Sequence, residues 1–256
     1  MPDEEGRDMQ PVNDGVVIVT GGGAGIGRGA CEALADAGYV VAAVGRRVDK
    51  LRDYATDGRV VGFGCDVREP EEVGSVVAEI SSSLGPIRGL VNSAGILTRG
   101  PFDGVTIAQI RDLFETNVEG TVLMIQHCLN DLKATRGSIV NLSSMLTRRP
   151  FADVTAYCIT KGAIEALSMA LARELAPHGI RVHVVLPSLV RSDIYIDQGM
   201  PPADYERMLD SATSMFPLGR VGEPEDVASI IRFLVSDESS WMTGCMINVD
   251  GGRGIA

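Results

Sequence analysis

The sequence predicts an α/β fold: a doubly wound, seven-stranded parallel sheet with helices on both faces, folded as a single domain. From Val16 onward, short β-branched runs alternate with segments of helical period, the pattern of successive βαβ units. The strand candidates are nearly continuous apolar runs rather than alternating ones, as befits strands covered on both sides. With 256 residues, 45% of them hydrophobic, the chain can bury one sizeable core but is short for two independent domains.

In chain order, strands are predicted at 16–20, 40–44, 60–65, 89–92, 138–142, 181–186 and 246–249. Helical spacing of apolar residues predicts helices at 26–37, 69–83, 107–134, 156–176 and 224–235, several with Gly or Pro stops behind them. Residues 1–14 are acidic and polar and read as a disordered tail, leaving 15–256 as the folded domain. The stretch 190–218 mixes Asp, Gly, Pro, Met and Tyr and reads as a flap over a cleft, or as an ordinary surface insertion.

Lysine and arginine total 23 against 34 Asp and Glu, a formal charge of -11. Such a surface repels nucleic-acid phosphates and anionic lipid, so neither is an expected partner. No apolar run of roughly 18 residues is present to span a bilayer. Five cysteines without a CxxC pair argue against a disulfide framework or a zinc site, so no metal is expected and the thiols read as reduced and cytoplasmic.

The first strand runs into Thr20-Gly21-Gly22-Gly23-Ala24-Gly25-Ile26-Gly27, and a helical pattern starts at once. Glycines there allow a tight turn whose following helix N-terminus can face a pyrophosphate, as in Rossmann-type dinucleotide folds. A plain strand-to-helix turn would need the same glycines, and the spacing departs from GxGxxG. The second strand ends at Gly45-Arg46-Arg47, where an acid would bind the ribose of NAD and a basic residue the 2′-phosphate of NADP. Two guanidiniums and no acid favour NADP(H), unless the pair simply faces solvent.

Tyr157 and Lys161 stand four apart on a predicted helix and share a face, and lysines occur only at positions 50, 133 and 161. A neighbouring ammonium is expected to lower the phenol's pKa toward the working range of a proton donor. Ser144 follows a strand's carboxyl end, where α/β folds bind ligands, and Asn117 falls inside a helix where a buried amide can interrupt the ladder. Met145, Leu146, Tyr195 and Met215 are candidates for an apolar substrate pocket.

Together these residues resemble the short-chain dehydrogenase/reductase family over essentially all of 16–252. The TGxxxGxG turn corresponds to 20–27, the adenine-side Asp-Val to Asp66 and Val67, and the NNAG-like strand end to Asn92-Ser93-Ala94-Gly95. The catalytic set maps onto Asn117, Ser144, Tyr157 and Lys161, separated by 27, 13 and 4 residues. The resemblance implies that Ser144 orients the substrate oxygen, Tyr157 exchanges the proton, Lys161 also holds the nicotinamide ribose, and Asn117 anchors a water. It implies cofactor contacts from Gly21, Gly25, Ile26, Gly27, Asn92, Ala94 and Gly95, and from Pro187, Val190 and Ser192 in a segment closing over the nicotinamide. It also implies a homotetramer and a small-molecule carbonyl or alcohol substrate. Ser93, Ser188 and Ser192 depart from the family's usual residues without removing a catalytic group.

The implied activity is hydride transfer between a nicotinamide and a ketone, aldehyde or secondary alcohol. A 3-oxoacyl thioester reductase shares the same motifs, with Arg148 and Arg149 as a candidate patch for an acidic carrier protein. A non-catalytic NADP(H)-sensing protein is the rival outside enzymology.

Overall fold

A computed structural model describes residues 15–52, 58–197 and 199–256. The predicted tail at 1–14 lies outside the described residues. Seven parallel strands form one sheet: β1 Val16–Thr20, β2 Val40–Gly45, β3 Val60–Gly64, β4 Ile87–Asn92, β5 Ser138–Leu142, β6 Arg181–Pro187 and β7 Cys245–Val249. Their order, β3-β2-β1-β4-β5-β6-β7, places the switch in winding direction between β1 and β4. Ligand clefts of open α/β sheets form at the strands' carboxyl ends there.

Both faces of the sheet are apolar because alternate residues on a strand point oppositely. Val16 and Ile18 enter one core with α3 (Pro70–Leu84), α5 (Gly120–Thr135) and α6 (Thr155–Leu175). Val17 and Val19 enter the other with α1 (Gly25–Asp36) and α8 (Pro224–Val235). Each fully buried large aliphatic side chain contributes about 1.5–3 kcal/mol. Helix starts follow from local chemistry: Pro70 opens α3, and Glu223 and Asp226 cap α8 reciprocally ahead of Pro224.

Three departures from the sequence reading stand out. The long helix expected at 107–134 is interrupted: α4 (Ile107–Phe114) and α5 flank a π-helical segment, Glu115–Glu119. The short α2 (Val48–Arg52) and the whole of α7 (Pro202–Ala212) were not expected. Helix α7 fills the stretch read as a flap, with Tyr205, Leu209 and Ala212 buried in a satellite core with Phe216 and Val221. Among the described residues, no helix is long and apolar enough to cross a membrane.

One core residue is a polar anomaly. His183 on β6 is 0% exposed, and neither ring nitrogen has a hydrogen-bond partner among the described residues. Burial, followed by the nearby Arg181 guanidinium, depresses its pKa from 6.5 to about 4. The folded state therefore keeps the ring neutral while the unfolded chain takes up a proton, so stability falls as pH drops from 6.5 toward 4. The expected loss is about 3 kcal/mol at the acid end. In His183→Leu, which removes no hydrogen bond, urea unfolding should show a shallower acid decline; an unchanged slope would contradict this role.

Candidate active site

The cleft begins where β1 stops. The Thr20 hydroxyl accepts the amide hydrogens of Ser93 and Ala94 at 3.1 and 3.0 Å, binding the end of β1 to the loop after β4. The chain then turns into α1, and a Cβ at Gly27 would sit 2.3 Å from the Gly21 carbonyl oxygen, so no larger residue fits. Ala24 supplies no side-chain cap to α1, and the first turn carries no acidic residue. The amides at this helix end are thus left to an anion from outside.

Those residues line a 490 Å³ cavity, within the usual range for a cofactor site. Gly21, Gly25, Ile26, Gly27, Arg46, Arg47, Asp66, Val67, Ala94, Gly95 and Ser192, all expected at the cofactor, line it. A dinucleotide fits this donor set: open helix amides for a pyrophosphate, guanidiniums at one end, and an apolar floor at Ile26 and Val67. Of the other expected contacts, Asn92 is buried and donates to Asn141 at 2.9 Å, while Pro187 closes β6. Val190 lines a separate 180 Å³ cavity with Phe216 and Arg220.

At the guanidinium end the two arginines differ. Arg47 pairs with Asp197 at 2.8 Å and Lys50 with Asp193 at 2.8 Å, joining the loop after β2 and α2 to the segment after β6 beside the cavity. Arg46 is exposed beside the cavity and helps hold the Asp66 carboxyl below its usual range, an effect led by hydrogen bonds from Arg68. Lys50, Asp193 and Asp197 escaped the sequence reading because each pair joins residues more than 140 positions apart.

The four expected catalytic residues lie around the end of β5. Asn117, 1% exposed in the π-helical segment, accepts the Ile96 amide hydrogen at 2.8 Å and donates to the Ile96 carbonyl at 3.0 Å and the Thr160 hydroxyl at 3.1 Å. It thereby joins the loop after β4 to α6. A Cβ at Gly95 would stand 3.2 Å from the Asn117 Oδ1 and 3.5 Å from the Lys161 Nζ, so a larger residue would press on this junction. The Lys161 ammonium donates to the Leu142 carbonyl at 2.8 Å and lies 5.6 Å from the Tyr157 ring centre.

The expected tuning of tyrosine by lysine is not what dominates. Burial pushes the Tyr157 phenol well above its ordinary range, the Tyr195 phenol adds to this, and the Ser144 hydroxyl pulls it back. Burial also lowers Lys161 to about 8. Met145 is fully buried beside Ser144, whereas Met215 is 41% exposed and lines neither cavity.

Behind Ser144 sits a buried carboxylate that sequence reading missed. Glu165 accepts from Ser143 at 2.7 Å and from Thr147 at 2.6 Å, and pairs with Arg148 at 2.7 Å. Both flanks of the Ser144 turn are thus fastened to α6. The signal was present: Tyr157, Lys161 and Glu165 recur every four residues, on one helical face. Arg149 donates to the Ala256 carbonyl at 2.6 Å, so both arginines of the expected carrier patch have partners within the chain.

Comparison with known proteins agrees with this geometry. A family model described as Enoyl-(Acyl carrier protein) reductase matches residues 21–253. An L-xylulose reductase of Caenorhabditis elegans is 34% identical over 92% of this chain and 94% of its own. A mouse (Mus musculus) 3-oxoacyl-[acyl-carrier-protein] reductase is 33% identical over 93% of this chain and 98% of its own. A solved short-chain type dehydrogenase/reductase from Mycobacterium ulcerans superposes with a TM-score of 0.84 at 33% identity, covering 94% of this chain and 90% of that one. On its fold, its site and these relatives, the chain belongs to the short-chain dehydrogenase/reductase family of oxidoreductases.

Proposed function

We propose that this chain is an NADP(H)-dependent oxidoreductase that interconverts a small ketone or aldehyde and its alcohol, with Tyr157 as the proton donor and acceptor. The observation that carries the reading is the convergence of Tyr157, Ser144, Lys161 and Asn117 at the end of β5, beside a cavity whose floor is an uncapped helix N-terminus. The nicotinamide, when bound, supplies or accepts the hydride. Tyr157 keeps its proton at neutral pH because burial disfavours the phenolate, so it is a donor to a carbonyl oxygen that gains charge. The Ser144 hydroxyl stabilises that oxygen, and the Lys161 ammonium stabilises the phenolate left behind.

NADP(H) is favoured over NAD(H) because Arg46 faces the cavity's adenosine end without an ion-pair partner among the described residues, and no acid follows β2 directly. Exposed apolar side chains, among them the wholly exposed Trp241 and the 37% exposed Met246 on edge strand β7, support the homotetramer that the family resemblance implies. A 3-oxoacyl thioester substrate ranks second: the mouse relative is named for it, but Arg148 and Arg149 are engaged inside this chain. The complete catalytic quartet weighs against a purely sensing role.

Tyr157→Phe should lower NADPH-dependent carbonyl reduction about 10²–10⁴-fold while NADPH still binds, measured by steady-state kinetics and cofactor fluorescence. An unchanged rate would remove the proton role. Because Lys161 loses its proton near 8, kcat/KM for reduction should decline as pH rises through that value; a flat profile there contradicts the ammonium's part. Arg46→Ala should weaken NADPH binding about tenfold and leave NADH binding nearly unchanged. A wild-type protein that binds NADH more tightly would overturn the cofactor assignment.

A further inference from the structure

The outer side of the cleft carries an arrangement that hydride transfer does not use. The Arg99 and Arg253 guanidiniums both lie against the Phe151 ring, at 5.5 and 5.6 Å from its centre. They come from distant parts of the chain, the loop after β4 and the 3₁₀ turn Arg253–Ile255. That convergence is built. Gly100, next to Arg99, donates its amide hydrogen to the Asp153 carbonyl at 2.9 Å, fastening its loop to the one carrying Phe151. The Asp250 carboxylate accepts from the Gly252 and Gly254 amides at 2.9 and 2.8 Å and shapes the closing turn, where a Cβ at Gly254 would stand 3.1 Å from the methyl of Met145, the residue after Ser144.

The pair also couples electrostatically toward the tyrosine of the site. Burial raises the Tyr195 phenol's pKa, and Arg99 and Arg253 pull it back down; Tyr195 in turn acts on Tyr157. On a chain of formal charge -11, many arginines meet carboxylates, among them Arg47, Arg68, Arg148, Arg191 and Arg220. Among the described residues Arg99 and Arg253 form no such ion pair; the nearby Asp250 is engaged by backbone amides. Two guanidiniums without carboxylate partners among the described residues, both resting on one aromatic ring, offer bidentate donors to an anion.

We propose that Arg99 and Arg253, braced on Phe151, form an anion subsite beside the catalytic tyrosine, and that the carbonyl substrate is a small molecule bearing an acidic group set back from its reacting carbon. This rests on the oxidoreductase reading and names the substrate class for the same site. It also explains how an acidic protein admits an acidic substrate, since local cations at the rim offset the overall repulsion.

The test uses the full-length protein with NADPH and a matched pair, levulinate and its methyl ester. The acid should be favoured over the ester at least tenfold in kcat/KM, and the preference should shrink with added salt. In Arg99→Gln and in Arg253→Gln the acid-to-ester ratio should fall about tenfold, while Arg99→Lys retains most of it. A ratio is insensitive to the fraction of folded enzyme, so a merely structural role leaves it unmoved. Equal use of acid and ester by the wild type, or an unaltered ratio in both glutamine variants, overturns the subsite and leaves the oxidoreductase reading standing. A preference for an acyl carrier protein thioester over both small ketones overturns it in favour of a macromolecular substrate. If neither ketone turns over, the oxidoreductase reading loses support, and calorimetric titration with levulinate decides the subsite: binding that weakens about tenfold in the glutamine variants sustains it, and no binding overturns it.

Discussion

A single buried amide holds the site together. Asn117 cannot lie at 1% exposure without partners, since an unpaired polar group in the interior costs on the order of 1–3 kcal/mol. Its partners are the backbone of Ile96 and the hydroxyl of Thr160, so satisfying it fixes the loop after β4 against the helix bearing Tyr157 and Lys161. The π-helical segment lets this occur mid-helix, by displacing one turn of the backbone ladder between α4 and α5. The glycine bend, the Ser144 turn and the tyrosine helix then meet at the sheet edge where β1 and β4 part.

Burial rather than charge pairing sets the protonation states there. The sequence suggests an ammonium that tunes a phenol, because the two stand four residues apart. In the folded chain Lys161 is occupied by the Leu142 carbonyl, and desolvation acts on both groups, raising Tyr157 and lowering Lys161. Both therefore move toward their neutral forms, which suits the proton donor proposed for Tyr157.

How much of this was legible depended on range. All seven strands lie within two residues of their sequence assignment, because continuous apolar runs between helical segments leave little choice. Glycine and catalytic motifs are local or fixed in spacing, so their positions could be read directly. Helix α7 was missed although Tyr205, Leu209 and Ala212 follow a helical period, because polar residues and prolines dilute the pattern. Long-range pairings had little local mark: Glu165 shares a helical face with Tyr157 and Lys161 but nothing in the sequence ties it to Arg148, and nothing near Arg99 announces Arg253. The adjacent pair Arg148 and Arg149 looked available only because sequence shows charges without their partners.

The contacts Arg47 to Asp197 and Lys50 to Asp193 tie the chain after β2 to the segment after β6 at the cleft. Both are more than a third solvent-exposed, so each is worth only up to about 1 kcal/mol. A strap of this strength behaves as a clasp rather than a hinge pin, released and remade by thermal motion. A phosphate arriving at Arg47 would meet a guanidinium already held by Asp197, so cargo and clasp would share one hook.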